Sequence, residues 1–227
     1  MGFEISDQVR ALNARLQNFM DEHIYARERE WHEWCHDPEH LWEVPAWYDD
    51  IRDKAKAEGL WNLFLPEEYA PWSPGLTNVE IAPLFETMSK VMWAQGVFNC
   101  NAPDRGNMEV LAKYGTSEQQ EQWLKPLLAG EIRSAYAMTE PQVASSDATN
   151  MELEIRRDGD EYVLNGCKWW TTGAVGPRCK IMLVMGKSNP ENDRHRQHST
   201  ARREQRSQGI QARAPTLSRH ISSRPNR

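Results

Sequence analysis

The chain has 227 residues, a formal net charge of -6 and a mean hydropathy of -0.77. The charge is uneven: residues 194–227 hold nine Arg, no Lys, no aromatic residue and one acid, Glu204, for +8, which leaves -14 on the residues before them. So acidic a body excludes a nucleic-acid or anionic-lipid surface over most of the chain, because phosphate binding needs clustered cations, and no apolar run approaches the roughly 18 residues of a membrane span.

In chain order, Met1 to Asp7 is acidic and has the features of neither a secretory signal nor a transit peptide, although Gly2-x-x-x-Ser6 matches an acylation pattern. Ser6 or Asp7 is placed to cap a long amphipathic helix whose stripe is Val9, Leu12, Leu16, Phe19, Met20 and His23. His32-Glu33-Trp34-Cys35-His36 matches the His-Glu-x-x-His pattern of zinc hydrolases, which on a helix sets two imidazoles on one face. No third ligand follows at a recognisable spacing, and Trp31, Trp34 and Trp42 around it read as a packing edge, so surface histidines are the expectation and no metal site is assigned.

Trp47, Ile51 and Ala55 recur at four-residue steps between Pro45 and Gly59, which predicts a second helix. Thr77 with Glu80, and Thr116 with Gln119, have capping-box spacing, each followed by an apolar helical face; Pro83 is an expected bend, and Gly130 an expected stop. After Arg133 the period changes to that of strands: Ser134 to Met138, Leu153 to Arg156, Tyr162 to Leu164, Cys167 to Thr172 and Lys180 to Met185. Asp158-Gly159 and Asn165-Gly166 are expected tight turns between them.

Beyond Met185 the pattern fails, and too few apolar side chains remain to offset the entropy of ordering. The expected class is therefore α+β: an all-helical N-terminal domain over 1–132, the start of a β-barrel-like middle domain over 133–190, and a disordered Arg-rich tail over 191–227, of the kind a frameshift or gene-model error produces. Cys35, Cys100, Cys167 and Cys179 show no short pairing, so free thiols in a reducing compartment are expected.

Two segments carry chemistry. Tyr136-Ala-Met-Thr-Glu-Pro141 leads to Ser145-Ser146-Asp147, and Lys168-Trp-Trp-Thr-Thr-Gly173 follows. Together, and after a helical domain, they resemble the two flavin segments of the acyl-CoA dehydrogenase family. Gly59-Leu60-Trp61, Leu65-Pro66-Glu67-Glu68 and Tyr114 to Gln119 are similar to its N-terminal loops. The usual Gly-Ala-Gly-Ser-Asp run is replaced by Gln142 to Asp147, one residue longer and without glycine. Val143 to Asn150 resembles instead a long-chain branch, that of family members 10 and 11.

The resemblance implies FAD as cofactor and α,β-dehydrogenation of a medium to very long fatty acyl-CoA in β-oxidation, with electrons passed to electron-transfer flavoprotein or, in a peroxisome, to oxygen. It implies that Tyr136, Met138 and Thr139 line the isoalloxazine, and that Ser146 or its neighbour Ser145 lies near the pyrophosphate and the entering acyl-CoA. Trp170 would pack beside the ring system, with Thr171 and Thr172 toward its polar edge. The family's proton-abstracting carboxylate lies in a C-terminal helical domain, so no catalytic residue is assigned here; Glu140 is expected to shape backbone, and the chain by itself to be inactive. The family forms homo-oligomers. Mitochondrial, peroxisomal and cytoplasmic placements all stay open.

Overall fold

The computed structural model describes residues 4–40, 42–204, 210–213 and 220–223; Gly2 of the acylation pattern lies outside them. The chain divides into two compact units, 1–130 and 131–227. Among the described residues no helix is long and apolar enough to cross a membrane.

The first unit is helical. Helix α1 (Asp7–Phe19) starts at Ser6, whose hydroxyl accepts from the Val9 amide at 3.3 Å. It runs on through a π turn over Met20–Ile24 and a 3-10 turn over Tyr25–Arg27 into α2 (Glu28–His36). Its predicted stripe is largely the core face: Val9, Leu16, Phe19 and Met20 are buried, and Phe19 meets Phe98 edge to face at 5.4 Å. Helix α3 (Ala46–Ala57) follows Pro45, and Gly59 closes it at φ 68°. Helix α4 (Asn78–Met88) opens on the predicted capping box, Thr77 with Glu80, and contains Pro83. A short α5 (Ala94–Val97) and α6 (Asp104–Tyr114) come next.

The second capping box, Thr116 with Gln119, opens α7 (Ser117–Gln119), which continues through a π turn into α8 (Lys125–Ala129). Gly130 ends it in the left-handed region at φ 73°. The last carbonyls of a helix lack the next turn's amides, and side chains from α3 and from distant loops bond those at the end of α8. Trp61 Nε1 and Asn62 Nδ2 donate to Leu128 O at 2.7 and 2.9 Å, Asn99 Nδ2 to Leu127 O at 2.9 Å, and Arg52 to Gly130 O at 3.0 Å.

Glu80 also predicts a pH response. Its carboxylate accepts from the Thr77 amide and hydroxyl, both at 2.9 Å, and from Ser6 Oγ, and these bonds, the amide first, hold it below the ordinary glutamate range. Because the folded value is the lower one, this contribution is fully present above the unfolded value near ~4.3 and is lost as pH falls through the folded value. Replacing Glu80 with Gln should flatten that part of the acid-unfolding profile, measured by circular dichroism between about pH 5 and pH 3.

The second unit is a mixed sheet. Strand β1 (Arg133–Ala137) lies parallel to β4 (Cys179–Lys187), with Ala135 opposite Met182 and Tyr136 opposite Leu183. Strands β2 (Glu154–Asp158) and β3 (Glu161–Trp169) form the hairpin predicted at Asp158-Gly159, with Gly159 at φ 63°. Alternation gives one core face: Ala135, Ala137, Leu153, Ile155, Met182 and Val184 pack with Cys179 and Ala174.

One expectation is corrected. Asn165-Gly166 is no turn: it lies inside β3, and there the strand changes partner, pairing with β2 up to Asn165 and with β7 (His220–Ser223) from Gly166 onward. The glycine is needed for contact, since a Cβ at Gly166 would stand 2.9 Å from the Cα, Cβ and Cγ of Leu153. Past β4 the described residues include β5 (His198–Glu204), antiparallel to β4, and β6 (Ile210–Arg213), paired with β7. The ladder bonds that hold β5 come from backbone, which apolar counting ignores, and only Ala201 of its described side chains packs on the core. Residues 205–209, 214–219 and 224–227 of the tail expected to lack order lie outside the described residues.

All four cysteines are free thiols, and complete burial pushes Cys100 up to about 12.

Candidate flavin site

The predicted site residues sit where β1 and β3 end. Leaving β1, the chain passes Met138 and Thr139 and runs beside the end of β3: Lys168 Nζ donates to Met138 O at 2.8 Å, and the Trp169 amide to Thr139 O at 3.0 Å. The two sequence motifs are therefore brought side by side through their main chains.

Glu140 is the centre of this arrangement. Its carboxylate accepts from Lys168 Nζ at 2.8 Å, from the Leu153 amide at 2.9 Å and from the Glu152 amide at 2.7 Å. Its own amide donates to Ser145 Oγ at 2.8 Å. Both charged side chains are almost wholly buried, Lys168 at 1% exposure and Glu140 at 4%. Burial pushes the Lys168 ammonium below the ordinary lysine range, and Glu140 opposes that shift.

The remaining candidates divide by exposure. Ser145 and Thr171 face inward: Ser145 is spent on the Glu140 amide, and the Thr171 carbonyl accepts from the Ala174 amide at 3.2 Å. Thr139, Ser146 and Thr172 are exposed, and Met138 is half-buried. Tyr136, also half-buried, lies on the face of β1 opposite the core cluster, its hydroxyl 3.5 Å from Met185 Sδ. Asp147 caps the turn Ala148–Asn150, accepting from the Thr149 hydroxyl at 2.6 Å and amide at 3.0 Å and pairing with Arg194 at 3.3 Å. Those contacts, the hydroxyl first, hold its carboxyl below the usual aspartate range.

Trp170 is the most unusual of the set. It follows the last residue of β3 at φ 52° and is 55% exposed. A bulky residue in the left-handed region is strained, and such residues cluster at binding sites. Trp169 beside it is half-buried, the rings 5.7 Å apart.

Sequence reasoning named Lys168 only as the first residue of a motif and did not pair it with Glu140. The available signal was a lysine in a strand-period segment beside two tryptophans, a cation whose position demands a partner.

The His32-x-x-x-His36 pair lies on α2, exposed, with the rings stacked at 4.0 Å and His36 Nδ1 2.7 Å from His32 O. Glu33 pairs with Arg29 at 2.9 Å. Among the described residues no group of three or more His, Cys, Asp or Glu is placed to hold a metal ion. Of the three tryptophans expected to pack around it, Trp31 stacks on Trp93 at 5.1 Å and Trp34 on His40 at 3.6 Å, whereas Trp42 is exposed.

The chain is thus a helical unit followed by a mixed sheet, with a Thr-Glu-Pro segment joined to a Lys-Trp-Trp-Thr-Thr segment at the strand ends. Residues 6–131 match the acyl-CoA dehydrogenase N-terminal domain and residues 135–222 the acyl-CoA dehydrogenase middle domain. The chain belongs to the acyl-CoA dehydrogenase family.

It is 50% identical over 200 residues to mouse acyl-CoA dehydrogenase family member 10, covering 86% of this chain and 18% of that protein. A solved structure from Mycobacterium abscessus, assigned to the acyl-CoA dehydrogenases, matches with a TM-score of 0.89 at 42% identity, over 97% of this chain and 58% of that one. An acyl-CoA dehydrogenase from Bacillus anthracis, complexed with FAD, shares the fold at 22% identity and a TM-score of 0.67, over 97% of this chain and 37% of that one. The chain spans less than half the length of the curated relatives it matches.

Proposed function

We propose that this chain supplies the N-terminal helical and flavin-facing parts of an FAD-dependent acyl-CoA dehydrogenase acting on medium to very long fatty acyl-CoA, with electron-transfer flavoprotein or oxygen as electron acceptor. The observation that carries the reading is Trp170, an aromatic face held half-exposed in a strained backbone at the end of β3, next to the Thr139–Trp169 main-chain bond.

The residues suit a flavin. An isoalloxazine needs an apolar wall against one face and hydrogen-bonding groups at its edge. Trp170 provides the wall, and the exposed hydroxyls of Thr139 and Thr172 and the backbone beside them provide the polar partners. Tyr136 and Met138 flank them from the β1 side, and exposed Ser146 is the hydroxyl available to a phosphate, with Ser145 fixing its loop. Bound FAD supplies the acceptor for a hydride leaving the acyl β-carbon.

The α-proton needs a separate base. The two carboxylates within these segments are engaged, Glu140 by Lys168 and two amides and Asp147 by Thr149 and Arg194. General-base assistance is worth typically a factor of ~10² to 10⁴, and we infer that these 227 residues do not provide it.

The test is flavin retention. After incubation with FAD and gel filtration, the purified chain should be yellow, and Trp170→Ala should bind FAD about tenfold more weakly, the scale of one lost aromatic contact. A colourless chain would overturn the reading, and one carrying stoichiometric zinc would replace it with a metal site at His32 and His36.

A further inference from the structure

The buried Glu140–Lys168 pair asks for an explanation that stability does not give. Burying two charges carries a desolvation cost that their attraction offsets only with good geometry, and an apolar pair of similar volume often holds a fold as well. What an apolar pair cannot do is aim hydrogen bonds. Here Lys168 Nζ reaches both Met138 O and Glu140 Oε1 at 2.8 Å, Oε1 also accepts from the Leu153 amide, and Oε2 accepts from the Glu152 amide. The Glu140 amide, in turn, fixes Ser145.

The Met138 carbonyl, the Glu152 and Leu153 amides and the Ser145 hydroxyl are thus tied to these two residues, and the Trp169 amide is bonded to Thr139 O beside them. The residues adjoining those ties are Thr139, Ser146 and Trp170, three of the four exposed members of the candidate site, the fourth being Thr172.

We propose that Glu140 and Lys168 are positioning residues for the flavin: the pair holds Met138–Thr139 in register with Trp169–Trp170 and turns Ser146 outward by turning Ser145 in. Neither side chain contacts the cofactor. The proposal rests on the flavoprotein reading above and adds to it the element that sets the spacing of the two binding segments.

The experiment compares the full chain with Lys168→Met and with Met182→Ala, a core variant of the same sheet chosen to lower the melting temperature comparably. FAD affinity is measured by titration, and the visible circular dichroism of bound flavin is recorded at a temperature where all three are folded. Lys168→Met is expected to bind FAD at least tenfold more weakly and to alter the flavin dichroism, while Met182→Ala keeps the wild-type affinity and spectrum. If Lys168→Met binds and looks like wild type, or if Met182→Ala loses as much, the positioning role is overturned and the flavoprotein reading stands. If the wild-type chain takes up no FAD, both fall.

A second measurement covers the case in which Lys168→Met does not fold. In Glu140→Gln, amide exchange at Leu153 and Trp169 should be faster than in wild type; unchanged exchange at both overturns the proposal.

Discussion

Replacing Glu140 with alanine is expected to destabilise the sheet unit by about 3 to 5 kcal/mol, the cost of leaving one member of a buried ion pair uncompensated. The change strands the Lys168 ammonium at 1% exposure with Met138 O as its hydrogen-bond acceptor, and it removes the acceptor of two amides, Glu152 and Leu153. A buried donor without a partner costs about 1 to 3 kcal/mol by itself, so both effects push the same way. The double change Glu140→Leu with Lys168→Met should be less damaging than Glu140→Ala alone, because it leaves no buried charge behind. Urea unfolding of the three proteins checks this; a double variant at least as unstable as the single one would mean that the charge is not the source of the cost.

Gly166→Ala and Gly186→Ala should each destabilise the same unit by about 1 to 3 kcal/mol, the usual range for overpacking. The two glycines flank Leu153. A Cβ at Gly186 would meet Leu153 Cδ2 at 2.6 Å and Leu153 O at 2.7 Å, and one at Gly166 would meet Leu153 Cα and Cβ at 2.9 Å. A side-chain clash relaxes by rotation, whereas a clash with main chain moves a strand. Leu153→Ala removes Cδ2 and Cγ but keeps Cα, Cβ and the carbonyl oxygen, and Ile155 Cγ1 stays 2.8 Å from a Cβ at Gly186, so adding it should rescue neither variant. Recovery of wild-type stability in either double variant, measured by the same unfolding, would show that the side chain alone was responsible.

Features set by near neighbours were legible in the sequence. The caps at Ser6, Thr77 and Thr116 each join residues three positions apart, and the structure has all three. The stops at Gly59 and Gly130 need only a left-handed backbone, which glycine adopts without cost. The change from helical to strand period near Arg133 marks the boundary between units to within a few residues.

Features set by distant partners were not. Asn62 and Asn99, at φ 57° and 55°, complete the end of α8 from 66 and 28 residues away, and nothing in their neighbourhood announces it. Asn-Gly at 165 and 166 has the local chemistry of a turn, and the approach of Leu153 made it strand instead. Strand β5 has almost no apolar signature because its partner supplies ladder hydrogen bonds.

The order and residues of the Thr-Glu-Pro and Lys-Trp-Trp-Thr-Thr segments, with the helical unit before them, were enough from sequence alone to place the chain in its family. Which hydroxyls face outward was decided only by the fold. Ser145 against Ser146, and Thr171 against Thr172, are interchangeable in a one-dimensional pattern. In the fold Ser145 is buried, bonded to the Glu140 amide, and Thr171 is buried, while Ser146 and Thr172 are exposed.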